Sequence, residues 1–207
     1  TSSTSSPRAA VRAAATSWRA GMWNLPNSLT IGRIAAVPVF IVLLLGESTA
    51  TRWWALAVFL LASITDQLDG HVARSRNLVT PFGTLADPIA DKALTLGAFL
   101  TLSALGEIPW WVTVAIAVRE LGITLLRAIL ARRSIIPASM GGKVKTVLQM
   151  TAIGLLIVPW ASFIDPAPMR VIALVVLYLA LAVTIATGVD YVLRGWRIAR
   201  SGKAAGA

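Results

Sequence analysis

Six apolar stretches dominate the sequence, running approximately from Leu29 to Leu45, Trp53 to Val72, Leu85 to Leu105, Pro109 to Leu130, Val144 to Phe163 and Met169 to Leu193. At about 1.5 Å of rise per helical residue, a helix of about 20 residues crosses a hydrocarbon core of about 30 Å, and each stretch is close to that length. All six contain ionisable residues, so their assignment as spans rests on overall hydropathy rather than on unbroken apolar runs. The whole chain is 57% hydrophobic and only 14% charged, which places it outside the range of ordinary water-soluble domains. The expected fold is an all-α integral membrane protein with six transmembrane helices.

The formal net charge of +10 would suggest nucleic acid in a soluble protein, but here the basic residues flank apolar runs. Anionic lipid and phosphate are the expected partners, and nucleic acid is not. Arg8, Arg12, Arg19, Arg74, Arg76, Arg132, Arg133, Arg194, Arg197, Arg200 and Lys203 fall on one side of the six-span scheme. The other side has Arg52 and Arg170 with Glu47, Glu107 and Asp165. Because basic flanks are retained in the cytoplasm, both termini are expected there. The Trp53-Trp54 and Trp110-Trp111 pairs start helices at the opposite interface, where indole rings settle at headgroup depth.

Residues 1–28 are expected to comprise a disordered Ser/Thr-rich start and a basic, acid-free amphipathic helix lying on anionic headgroups. That stretch also has the composition of a mitochondrial transit peptide, although nothing else in the sequence calls for an organelle. Residues 29–193 then form one membrane domain and 194–207 a basic cytoplasmic tail. The chain has no cysteine, which removes disulfides, thiolate nucleophiles and Cys-based metal sites from consideration.

Four of the nine acidic residues are concentrated in two short runs, Asp66-Gln67-Leu68-Asp69-Gly70 and Asp87-Pro88-Ile89-Ala90-Asp91. Asp66 and Asp69 are three apart, Asp87 and Asp91 four apart, so each pair occupies one face of a helix. Asp66 is about 20 Å below the outer end of the second apolar segment, and Asp87 and Asp91 open the third from the inner side. All four are therefore expected in the cytoplasmic half of the bilayer. A single carboxylate at a helix centre costs about 2.5 to 3.5 kcal/mol on insertion scales, and four together repel one another. Two divalent cations, Mg²⁺ or Mn²⁺, would neutralise them through hard oxygen ligands. Neutralisation by Arg74 and Lys92, or a transporter with a buried acid and base relay, fits the spacing as well.

The run Asp66-x2-Asp69-Gly70-x2-Ala73-Arg74-x8-Gly83-x3-Asp87-x3-Asp91 resembles the signature of the CDP-alcohol phosphotransferase family at every fixed position. The resemblance implies six transmembrane helices, a homodimer, and two cations held by Asp66, Asp69, Asp87 and Asp91. It implies that Asp69, Gly70, Arg74 and Gly83 bind the CDP part of CDP-diacylglycerol and that Asp91 is a candidate base. Ligation to metal weakens a carboxylate as a base, so the two roles are in tension at Asp91, and ligand, base or both stay open there.

Arg119 and Arg127 lie on one side of the fourth segment, about 80° apart, and Lys143 and Lys145 open the fifth at the same inner level. Four converging cations would favour an acceptor carrying phosphate. Alternatively the lysines are ordinary basic flanks, and Glu120 or Asp190 neutralises one of the arginines. Asn27, Thr30 and Arg33 sit where the first segment enters the inner leaflet and face the same cavity, or serve only to start the helix and reach the interface. The stretches 24–33, 82–92, 119–127 and 142–150 resemble the bacterial branch of the family whose acceptor is glycerol 3-phosphate. Branches that use inositol phosphate or a lipid acceptor are the alternatives. The implied location is the bacterial inner membrane, multi-pass, with the active site on the cytoplasmic side.

Overall fold

The structure, a computed structural model, describes the backbone of residues 25–75, 81–130 and 140–204 and the side chains of 32–65, 92–126, 141–194 and 196. Every element among them is helical: α1 (Leu25–Leu45), α2 (Thr49–Ser75), α3 (Pro81–Ala104), α4 (Trp110–Leu130), α5 (Met140–Ile157), a single 3₁₀ turn (Trp160–Ser162) and α6 (Pro166–Ala204). Most of the region expected to form an interfacial helix before α1, residues 1–24, lies outside the described residues.

Local chemistry sets the helix ends. Ser48 caps α2, its hydroxyl accepting from the Thr51 amide at 3.1 Å. Asp165 caps α6 through the Ala167 amide at 3.0 Å, with Pro166 next in sequence, where a missing N–H is no loss. After α3 the chain reverses at Gly106, which adopts φ +73°. The Gly106 amide donates to Ser103 O at 3.0 Å and the Glu107 amide to Leu102 O at 2.9 Å, the paired closure that ends a helix on a left-handed residue. The fifth helix stops at Ile157, short of the Phe163 end that hydropathy suggests, because Pro159 has no amide to continue the ladder. The sixth continues through the basic segment to Ala204 instead of ending near Leu193.

α1 packs on α2 and α3, α5 on α6, α4 on α6 and α3, and α2 on α5. Phe40 of α1 and Phe59 of α2 meet with ring centroids 5.8 Å apart. Around them Leu102, Val112, Ile116, Ile153 and Leu177 are fully enclosed. The bundle differs from a water-soluble one chiefly in its apolar exterior. The outward face of α6 exposes Val171, Val175, Leu179, Ile185, Val189 and Val192, whereas Thr113, Glu120, Lys145, Gln149 and Thr184 are buried. Interior hydroxyls and amides are bonded to one another, as in Ser103 with Thr113 (2.7 Å) and Gln149 with Thr184 (3.2 Å). Such an exterior suits lipid. Among the described residues one helix, Pro166–Arg194, is by itself long and apolar enough to cross a membrane, with shorter apolar helices at Gly32–Leu45, Thr49–Thr65 and Lys92–Ala104.

At one end of the bundle Arg52 and Arg170 each donate to Glu107 at 2.8 Å. These three residues, from α2, α6 and the turn after α3, are ones that the charge pattern assigns to a common face.

Candidate active site

The acidic run is carried on two helices. α2 is continuous through positions 66, 69, 70 and 74, and α3 through 83, 87 and 91. A helical backbone across both pairs puts positions 66 and 69 on one face of α2 and positions 87 and 91 on one face of α3. The side chains of Asp66, Asp69, Arg74, Asp87 and Asp91 lie outside the described residues, as do those of Asn27, Thr30 and Arg127. An all-oxygen donor set of this kind fits a hard divalent cation such as Mg²⁺ or Mn²⁺. Among the described residues no group of three or more His, Cys, Asp or Glu is placed to hold a metal ion.

Immediately after Asp91 the described side chains resume, and Lys92 points the way to a second constellation. Its ammonium donates to Glu120 Oε2 of α4 at 3.3 Å. Lys145 of α5 donates to Glu120 Oε1 at 2.5 Å, and Arg119 Nη1 reaches the same oxygen at 3.1 Å. Glu120 is 6% exposed and Lys145 7%. Three cations from three helices thus share one buried carboxylate, leaving two positive charges in excess among the described residues. A buried cluster with such an excess is tolerable only when further anionic charge is at hand, and the acidic run begins one residue away from Lys92.

Arg119 is further tied to α6. Its Nε donates to Thr184 O at 3.0 Å and its Nη2 to Thr187 Oγ1 at 2.7 Å. The stem crosses α6 at Gly188, where an added Cβ would lie 3.1 Å from Arg119 Cγ. Arg119 lies at one side of a cavity of about 550 Å³ between α4 and α6, whose other walls are apolar.

Of the four cations expected to converge, the structure brings Arg119 and Lys145 together. Lys143 is exposed. Two residues along a helix is a rotation of about 200°, so Lys143 and Lys145 occupy opposite faces of α5. Arg33 is buried within α1. Glu120 does neutralise an arginine, but it gathers two lysines as well, while Asp190 pairs at 2.9 Å with Arg194 rather than with Arg119. Sequence reasoning placed Lys92 beside the acidic run and missed its contact with Glu120. The signal available was the placement of Lys92 directly after Asp91 and of Glu120 directly after Arg119.

Comparison with known proteins places this geometry in context. The profile of the CDP-alcohol phosphatidyltransferase family matches residues 23–186. The chain is 48% identical over 182 residues to a probable phosphatidylglycerophosphate synthase of Mycobacterium tuberculosis, covering 86% of this chain and 85% of that one. It is 35% identical over 189 residues to a CDP-diacylglycerol--glycerol-3-phosphate 3-phosphatidyltransferase of Bacillus subtilis, covering 84% and 96%. A protein of the same description from Rickettsia bellii is 40% identical over 172 residues, covering 81% and 93%.

Proposed function

The chain belongs to the CDP-alcohol phosphatidyltransferase family, and from that premise we propose that it transfers the phosphatidyl group of CDP-diacylglycerol to glycerol 3-phosphate, forming phosphatidylglycerophosphate and CMP. Relatives named for this chemistry match it over most of its length. The observation that carries the choice of acceptor is the buried meeting of Lys92, Arg119 and Lys145 on Glu120, one residue beyond Asp91. Two excess positive charges there suit an acceptor that brings its own phosphate, and a neutral alcohol would gain nothing from them.

Asp66, Asp69, Asp87 and Asp91 are assigned as ligands of two divalent cations, Mg²⁺ or Mn²⁺. When bound, such ions supply charge neutralisation at the diphosphate and at the departing CMP. Arg74 donates to the diphosphate as a fork, and Gly70 and Gly83 permit close approach of backbone to the nucleotide. Asp91 accepts the proton of the acceptor hydroxyl. That oxygen bonds to the lipid-bearing phosphorus, the bond from this phosphorus to its bridging oxygen breaks, and the electron pair leaves on CMP. Arg119 and Lys145, with Arg127 at the inner level, attract the acceptor phosphate, and Lys143, on the other face of α5, is left out of that set. Asn27, Thr30 and Arg33 of α1 are assigned to the acceptor side of the site, at the entry of the first span.

Residues 29–193 are assigned to six membrane spans in a bacterial inner membrane, with both termini and the active site cytoplasmic and the chain working as a homodimer. The reaction is tested by reconstituting the protein with CDP-diacylglycerol and offering glycerol 3-phosphate, inositol phosphate, glycerol or phosphatidylglycerol in turn. CMP release that requires glycerol 3-phosphate supports the reading, and release with inositol phosphate alone overturns the acceptor. Flux across sealed vesicles without any nucleotide requirement would favour a transporter instead.

A further inference from the structure

We propose that Glu120 is the positioning residue of the acceptor site: its carboxylate assembles Lys92, Arg119 and Lys145 into a preformed cradle for a phosphate monoester and so sets the preference for a phosphorylated acceptor. The inference rests on the reading above that Arg119 and Lys145 meet the acceptor's phosphate.

Both carboxylate oxygens are engaged, Oε1 by Arg119 and Lys145 and Oε2 by Lys92. The three cations come from α4, α5 and α3, and Arg119 continues onto α6 through Thr184 and Thr187. One side chain therefore fixes the relative placement of donors on three helices and is linked to a fourth. Each lysine ammonium has three N–H donors, and its bond to Glu120 uses one. The guanidinium has five, of which the bonds to Glu120, Thr184 and Thr187 use three. The cluster thus keeps donors for a further anion while being held in one arrangement before that anion arrives, which is what lowers the entropic cost of binding it. Without Glu120 the three cations would repel one another in a buried site and separate.

Simple attraction and positioning predict opposite signs. Removing the carboxylate raises the excess positive charge from two to three, so attraction alone would tighten the hold on phosphate. Loss of the common anchor spreads the donors and weakens it.

The test uses the full chain in nanodiscs of zwitterionic lipid with two readouts: equilibrium binding of radiolabelled glycerol 3-phosphate without CDP-lipid, and CMP release with each substrate varied. Glu120→Gln is expected to raise both the Kd and the KM for glycerol 3-phosphate by about tenfold or more, as misplaced donors do, while the KM for CDP-diacylglycerol changes by less than about twofold. Glu120→Asp, which keeps the charge with a shorter reach, is expected to recover part of the loss. Unchanged or tighter binding in Glu120→Gln overturns the proposal. So does an equal loss for both substrates, which is the behaviour of a merely structural residue. Should Glu120→Gln not fold, Glu120→Asp decides by the same split between substrates. Wild-type protein that binds glycerol 3-phosphate but releases no CMP overturns the proposed reaction, and the binding arm alone then decides the role of Glu120.

Discussion

Arg119 lies across Gly188, its Cγ 3.1 Å and its Nε 3.4 Å from where a Cβ at that position would stand. The far end of the side chain is pinned to Thr184 O, Thr187 and Glu120. The stem therefore has little freedom to yield. Replacing Gly188 by alanine in the middle of α6 gains about 0.8 to 1 kcal/mol in helix propensity, while crowding a packed interior costs about 1 to 3 kcal/mol. The expected outcome is a small net loss of stability, up to about 2 kcal/mol, accompanied by a raised KM for the phosphorylated acceptor. Thermal unfolding in detergent and substrate kinetics measure the two effects separately. A normal acceptor KM in Gly188→Ala would mean that the position of Arg119 is unimportant.

At the other end of the bundle, Gly106 holds φ +73° and closes α3 with two backbone bonds. A β-carbon is strained there by about 1 to 2 kcal/mol. Gly106→Ala should lower the unfolding midpoint by several degrees, and Gly106→Val by more. Asparagine tolerates the left-handed region better than alanine, so Gly106→Asn should fall closer to wild type. Equal midpoints for the alanine and asparagine variants would show that conformation at this turn is not the source of the effect.

Glu107 directly follows that turn and accepts from Arg52 and Arg170 at 2.8 Å each. Arg170 is half exposed, so its pair is screened and worth less than the Arg52 pair. Glu107→Gln should cost about 1 kcal/mol, and wild-type stability should fall toward that of the variant as salt is raised. Glu120 lies about 15 Å along α4 from Trp110, the end of the helix near which Glu107 sits, so kcat should stay within about twofold of wild type. A large kcat loss in Glu107→Gln would join this ionic cluster to the reaction.

Hydropathy locates the six α-helices among the described residues because an outward face of Val, Ile and Leu leaves a long apolar record in the chain. It misjudges ends where one residue outweighs the average: Pro159 stops α5 although the apolar run continues, and the basic residues after Leu193 remain helical. The helical placement of the acidic run is legible because its spacings of three and four residues match the turn of the helices that carry it. The gathering of Lys92, Arg119 and Lys145 on Glu120 is not, since lateral contacts between α3, α4 and α5 leave no periodic trace in any one of them. The opposite faces of Lys143 and Lys145 follow from helical spacing, and counting both as one basic patch overlooks that rotation.

The assignment of Asp66, Asp69, Asp87 and Asp91 as ligands has consequences that do not depend on turnover alone. Four carboxylates on two consecutive helices repel unless countercharge sits among them, and the two positive charges left over at Lys92, Arg119 and Lys145 are too few to balance four. Mn²⁺ titrated into chelator-treated protein and followed by electron paramagnetic resonance should therefore saturate near two ions per chain. Asp69→Asn should reduce that stoichiometry or affinity and lower CMP release by about 100-fold or more, the scale set by removing one group that stabilises developing charge. Chelation should stop wild-type release, and Mg²⁺ or Mn²⁺ should restore it. Undiminished release in excess chelator would mean that basic side chains neutralise the aspartates, returning the acidic run to the second of the readings its spacing allows.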